Sequence, residues 1–155
     1  MSIQSNHEEA MRLAAEADVY RRAGNLDECD RALKKALKKE EEAARAILLK
    51  PEAEPSRSII CRSTAALASE VGCLATAERW LLAALNNPLG EPPMAEEIRD
   101  ELRQIQDKIR NKQNTLKPHF RQPPIRPRNE LSPVGWDEIT LGMIVMNSAG
   151  KLVAG

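Results

Sequence analysis

The stretch Ala65-Ala66-Leu67-Ala68-Ser69-Glu70-Val71-Gly72-Cys73-Leu74 decides the fold, because it repeats Ala17-Asp18-Val19-Tyr20-Arg21-Arg22-Ala23-Gly24-Asn25-Leu26 in register. The opening alanine, the apolar positions, the glycine and the leucine after it coincide. The register continues through Arg31/Arg79, Leu33/Leu81, Ala36/Ala84 and Leu37/Leu85. A glycine at the end of a 3.6-period apolar stripe stops a helix, since it adopts the left-handed backbone there at no steric cost. Two copies of helix, glycine, helix imply stacked helical pairs, each burying on its neighbour a face it cannot cover alone. The expected class is therefore all-α.

Working outward, Ser5 with Glu8 three residues later reads as a capping box opening the first helix. Ala10, Leu13, Ala14, Ala17 and Tyr20 follow as its stripe, and Gly24 ends it. Asn25, with Glu28 three residues on, is the expected cap of a second helix. Its stripe runs from Leu26 through Cys29, Leu33, Ala36, Leu37, Ala44, Ile47 and Leu48 until Pro51 and Pro55 stop it. The block Lys34-Lys35 and Lys38-Lys39-Glu40-Glu41-Glu42 reads as a solvated face with pairs such as Lys38–Glu42 and Glu41–Arg45. A third helix from about Ser56 to Gly72 should bury Ile60, Thr64, Leu67, Ala68 and Val71. A fourth, from Leu74 to about Asn86, should bury Ala77, Leu81, Ala84 and Leu85, with Trp80 either core or surface anchor. Pro92 and Pro93 suit the first turn of a fifth helix, whose Ile98, Leu102, Ile105 and Ile109 face the stack while its other side is charged. That is the pattern of a terminal capping helix.

Beyond Asn111 the composition changes. Pro118, Pro123, Pro124 and Pro127 alternate with Lys117, Arg121, Arg126 and Arg128, which predicts an extended, basic, proline-rich linker. Ile139 to Met146 then reads as a strand, Asn147 to Gly150 as a turn, and Lys151 to Ala154 as a returning strand. The expected organisation is a helical domain over 5–112, a linker over 113–135, and a short β-hairpin or the start of a further domain over 136–155.

Composition narrows function. Aromatic residues are 3% of the chain, which suits close-packed small side chains and not an aromatic-lined ligand pocket. Formal net charge is zero, so no global attraction to nucleic acid or to an anionic membrane is expected. Cys29, Cys61 and Cys73 form no close pair and read as buried or semi-buried free thiols in a reducing compartment. His7 and His119 lie in separate segments, and no ligand set with metal spacing is present. Charge from Glu8 onward leaves no apolar core for a signal peptide. No apolar run reaches the roughly 20 residues of a membrane span. A cytoplasmic protein with no cofactor is expected.

The repeat resembles the tetratricopeptide repeat. The matching positions are Ala17, Tyr20, Gly24, Leu26, Cys29, Leu33 and Ala36 in the first copy, and Ala65, Ala68, Gly72, Leu74, Ala77, Leu81 and Ala84 in the second, with Pro88 near the family's closing proline. Small side chains at these positions let helices approach to about 8–10 Å. The two glycines stand 48 residues apart, against a family period of about 34, so the first copy is stretched and lacks the closing proline. The resemblance implies a partner-binding groove lined by the first helix of each pair: Asp18, Arg21 and Arg22, then Arg62, Ser69 and Glu70. Asp18 stands where the carboxylate-gripping subset carries asparagine, so that mode is not expected. The first two helices also resemble a microtubule-interacting-and-trafficking module, which predicts a single three-helix bundle; the second copy at Gly72 argues for two pairs. Residues 7–110 are similar to a group of uncharacterised bacterial proteins through Glu54-Pro55-Ser56-Arg57-Ser58, Arg62-Ser63, Ala77-Glu78-Arg79 and Ala95-Glu96-Glu97-Ile98-Arg99-Asp100.

Thr140-Leu141-Gly142-Met143-Ile144-Val145, followed by Gly150 and Ala154-Gly155, is similar to the nucleophile strand of glycosylasparaginases and isoaspartyl peptidases. That resemblance implies Thr140 as a nucleophile activated by its own amine after self-cleavage. Glu138-Ile139 depart from that family's pair, and a plain strand pair is the preferred reading. Arg121-Gln122-Pro123-Pro124-Ile125-Arg126-Pro127 has the spacing that proline-reading grooves accept. Phe120 alone offers no stacking platform for nucleic acid. The expected function is a non-catalytic scaffold that binds a protein or peptide, with homo-oligomerisation open. The alternatives are an accessory domain of a longer protein and a hydrolase fragment using Thr140.

Overall fold

In the computed structural model the described residues are 1–116, and they form five helices: α1 (Ile3–Arg22), α2 (Leu26–Leu48), α3 (Ser56–Val71), α4 (Leu74–Leu85) and α5 (Ala95–Leu116). The all-α class stands. The linker beyond residue 116, the strand pair over 136–155, Thr140 and the proline motif lie outside the described residues. Each helix packs on its neighbour in sequence, α1 on α2, α2 on α3, α3 on α4 and α4 on α5.

The repeat is visible in backbone hydrogen bonds. After α1 the Gly24 amide donates to the Arg21 carbonyl at 3.1 Å and the Asn25 amide to Tyr20 at 2.9 Å. After α3 the Gly72 amide donates to Ser69 at 3.0 Å and the Cys73 amide to Ala68 at 2.8 Å. The acceptors are the residues that the sequence register pairs. Both glycines sit in the left-handed region, at φ 79° and 92°, where a side chain is strained. Burial keeps the same register: Ala17 and Ala65, Cys29 and Ala77, Leu33 and Leu81, Ala36 and Ala84 are all core residues.

Three apolar clusters follow from this packing. Leu13, Ala17, Cys29, Ala32, Leu33, Ala36 and Leu67 join α1 and α2 to α3. Cys61, Ala65, Ala68, Ala77, Leu81, Ala84, Ile98, Leu102 and Ile105 join α3, α4 and α5. Ala43, Ala44, Ile47 and Ile60 form a third, against which Ile3 and Trp80 pack. Trp80 is half-buried and touches the second cluster as well, so it serves as a bridge between two cores. Burying Leu81 or Ile98 contributes about 2 kcal/mol each.

Several element ends differ from the sequence reading. The α1 cap is Ser2, whose hydroxyl accepts from the Ser5 amide at 3.0 Å, and Ser5 lies within the helix. Starting one turn earlier lets Ile3 reach the third cluster, and Glu8 takes a bond from Gln4 instead. Asn25 stands at the head of α2 without a side-chain cap bond, and Glu28 pairs with Arg31. Pro92 and Pro93 precede α5, which starts at Ala95; Pro92, being followed by a proline, is driven away from helical backbone. At its other end α5 runs through Leu116, past the expected boundary at 112. Val71 is half-buried and Cys73 is exposed, whereas Cys29 and Cys61 are enclosed. Of the expected ion pairs Glu41–Arg45 forms at 3.2 Å, and Lys39 rather than Lys38 approaches Glu42, at 3.9 Å. The solvated-face reading fails at Glu40, which is fully buried.

The alanine crossings give a direct test. Ala68→Leu, at a fully enclosed position of α3, should lower stability to urea by about 1–3 kcal/mol through overpacking. Ala66→Leu on the exposed side of the same helix should change it by less than about 0.5 kcal/mol.

Candidate functional site

Of the six expected groove residues, Arg62, Ser69 and Glu70 line one groove, and Asp18, Arg21 and Arg22 are not in its lining. Asp18, Arg21 and Arg22 belong to the last turns of α1. There Asp18 accepts from Arg22 at 2.7 Å and from Arg21 at 3.4 Å. Arg21 also reaches across to Glu70 of α3 at 2.9 Å. Arg62, Ser69 and Glu70 lie instead along a groove between α3 and α5 of about 490 Å³. The groove runs beside the seam where α3 and α5 meet in the shared apolar cluster. Ile59, Ala66 and Ile105 provide apolar lining, and Gln104 and Lys108 stand on the α5 wall.

The groove's charges are largely spoken for. Arg62 Nε donates to both Glu101 oxygens, at 3.1 and 3.2 Å, and Arg62 Nη1 lies 3.0 Å from Met94 Sδ. The Glu101 hydrogen bond raises the Arg62 pKa above its ordinary value. The pair is partly exposed, so solvent screening limits its worth to at most about 1 kcal/mol. Glu70 is held by Arg21. Lys108 has no ion-pair partner among the described residues. The result is an apolar lining flanked by two internal ion pairs and the side chain of Lys108.

Two buried polar centres escaped the sequence reading. The first is Arg57, 3% exposed, in the opening turn of α3. Its Nη1 donates to the Ala84 carbonyl at 3.0 Å, and its Nη2 to those of Ala83 and Asn86 at 2.9 and 3.2 Å. These are carbonyls at the end of α4, where helices leave acceptors without intrahelical partners. Glu54 stands 3.6 Å from the guanidinium and also accepts from the Ser58 amide and from Asn87 Nδ2, both at 3.1 Å. Asn87 donates in addition to the Pro51 carbonyl at 3.0 Å. The segment Glu54 to Ser58 thus ties the α2–α3 loop to the α4–α5 loop. A cation in a helix's first turn opposes the helix dipole, and that anomaly was the available signal.

The second centre is Glu40, paired with His7 of α1 at 2.8 Å. It falls four residues after Ala36 and four before Ala44, inside the apolar stripe of α2, so periodicity marked it as inward-facing. Burial pushes its carboxyl above the ordinary range, with Ser63 and His7 opposing. Nearby, burial also pushes the Cys61 thiol up to about 11.

Among the described residues no group of three or more His, Cys, Asp or Glu side chains could hold a metal ion. None of the described helices is long and apolar enough to cross a membrane. No protein family, curated protein or solved structure matches the chain.

Arg57→Met should lower stability by about 2–4 kcal/mol, because carbonyls of Ala83, Ala84 and Asn86 lose their donor in a largely dry site; urea unfolding measures it. A thiol-reactive disulfide at about pH 8 should label Cys73 rapidly, and Cys29 and Cys61 only on unfolding, since a buried neutral thiol is inert.

Proposed function

We propose that this chain is a non-catalytic protein-interaction scaffold of the tetratricopeptide type. In this reading α1 with α2 and α3 with α4 are the two repeat hairpins, and α5 is the helix that closes the stack. The observation that carries it is the groove between α3 and α5. It has an apolar lining at Ile59, Ala66 and Ile105, with Arg62 and Glu70 already paired and Lys108 standing on the α5 wall. Such a lining suits the apolar face of a helix or a short extended peptide, which would displace water without stranding a charge. Ala66, with no bulk beyond its methyl group, lets a bound backbone come close.

Support also comes from the shared register of burial and glycine turns, which makes each helical pair one unit of a repeated design. The proposed groove keeps Arg62, Ser69 and Glu70 of the expected residues and adds Ile59, Ala66, Gln104 and Lys108. Asp18, Arg21 and Arg22 then act at its edge, with Arg21 holding Glu70 in place. The three free cysteines fit a reducing compartment, and a cytoplasmic location is proposed on that ground.

Peptides selected from a random library against the full chain test the reading. They should bind the wild type, and Ala66→Arg should weaken them at least about tenfold, or about 1.4 kcal/mol. Leu82→Arg, on the exposed side of α4, should leave binding unchanged. Peptides that ignore Ala66→Arg, or a library that yields no binders, would overturn it.

A further inference from the structure

Glu40 is the only carboxylate among the described residues with no exposed surface, and it stands outside the groove's charge pairs. Its two oxygens lie 2.8 and 3.0 Å from Nδ1 of His7, on a different helix. From α3, Ser63 is near enough to favour the ionised carboxylate, while its hydroxyl is directed to Met11 Sδ at 3.9 Å. The Cys61 thiol, also on α3, is a neutral neighbour at ordinary pH, being held at about 11. No other ionisable side chain of the described residues pairs with Glu40. His7 is 24% exposed, so its ring is the pair's contact with water.

The pair is uncharged overall in two forms, imidazolium with carboxylate or imidazole with carboxylic acid. Removing the proton that these forms share leaves a net negative charge in a site closed to water, where an unpaired ion is strongly disfavoured. The surroundings offer little relief: Asn6, next to His7, is itself buried with its Oδ1 unpartnered. The same half of α1 is otherwise held mainly by apolar contact, through Ile3 against Ala43, Ala44, Ile47 and Ile60 and through the enclosed Ala10, with weak donations from Ser63 to Met11 Sδ and from Lys39 to Met1 Sδ.

We propose that the His7–Glu40 pair is a proton-operated latch that fastens the N-terminal half of α1 to α2 and α3. Loss of the proton loosens that half and leaves α3, α4 and α5 closed on their own cluster. The sign follows from the direction of the Glu40 shift. Its folded value lies above its ordinary one, so over that interval the folded chain holds a proton that the unfolded chain has released. The stability it contributes is therefore full in acid and falls as pH rises through the raised value.

Hydrogen exchange on the full chain, corrected for intrinsic rates, tests the latch. From about pH 4, below the ordinary carboxyl value, to about pH 8 the protection of amides from His7 to Leu13 should fall, by roughly tenfold for each pH unit that separates the two values. Protection from Ala77 to Leu85 in α4 should hold. Glu40→Gln, which cannot titrate, should abolish the fall in α1. His7→Gln, at a partly exposed position and so safer for folding, should deepen it by removing the carboxylate's ring partner. Parallel changes in α1 and α4 would overturn the proposal. So would an unchanged fall in α1 in either variant.

Discussion

Alanine sets the spacing on which everything else depends. Ala10, Ala17, Ala36, Ala43, Ala44, Ala68, Ala77 and Ala84 are fully enclosed, and a methyl group at a crossing point brings two helix axes to the short end of their packing range. At that distance most of a helix's surface contact is made by backbone and Cβ, and few large side chains are needed. A chain with 3% aromatic residues can therefore still form continuous cores. The same constraint explains the sensitivity expected at these positions: there is no slack into which a larger side chain could move.

A core of small residues has a second consequence. Close helices leave their ends near one another, and helix ends carry unpaired backbone groups. Arg57 answers that problem for α4, spanning from the first turn of α3 to three carbonyls. Glu54 balances its charge and, with Asn87, joins the two loops flanking the α3–α4 pair. Glu40 is the opposite case. It is a charge placed where no helix end requires one, neutralised by a single partner from another helix. One buried ion is bound into a fixed network; the other is open to solvent protons through a histidine edge.

The groove follows from the same geometry. α5 meets both α3 and α4 in one cluster, and beside that seam a groove is lined by Ile59, Ala66 and Ser69 of α3. The repeat pattern points to the first helix of each pair, and Arg62, Ser69 and Glu70 of that expectation line the groove. The same pattern also drew in Asp18 and Arg22, which pair with each other at the end of α1. The α5 wall, with Gln104 and Lys108, was read only as a solvated capping face. Periodicity reports which side of a helix is apolar; it does not report which neighbour lies beyond the polar side.

What the sequence determined by itself was the set of helices, their glycine turns and the register between the copies. Each of these is local: a stripe of period 3.6, a left-handed glycine, a proline that cannot continue a helix. Even Glu40 was legible as an inward position, though its charge argued for solvent. Only the tertiary structure decided what the inward charges meet, because Arg57 and its carbonyls lie 26 to 29 residues apart and His7 and Glu40 lie 33 apart. Pairings at that range depend on how the helices stack, and the stacking is set by crossing points that no single segment contains.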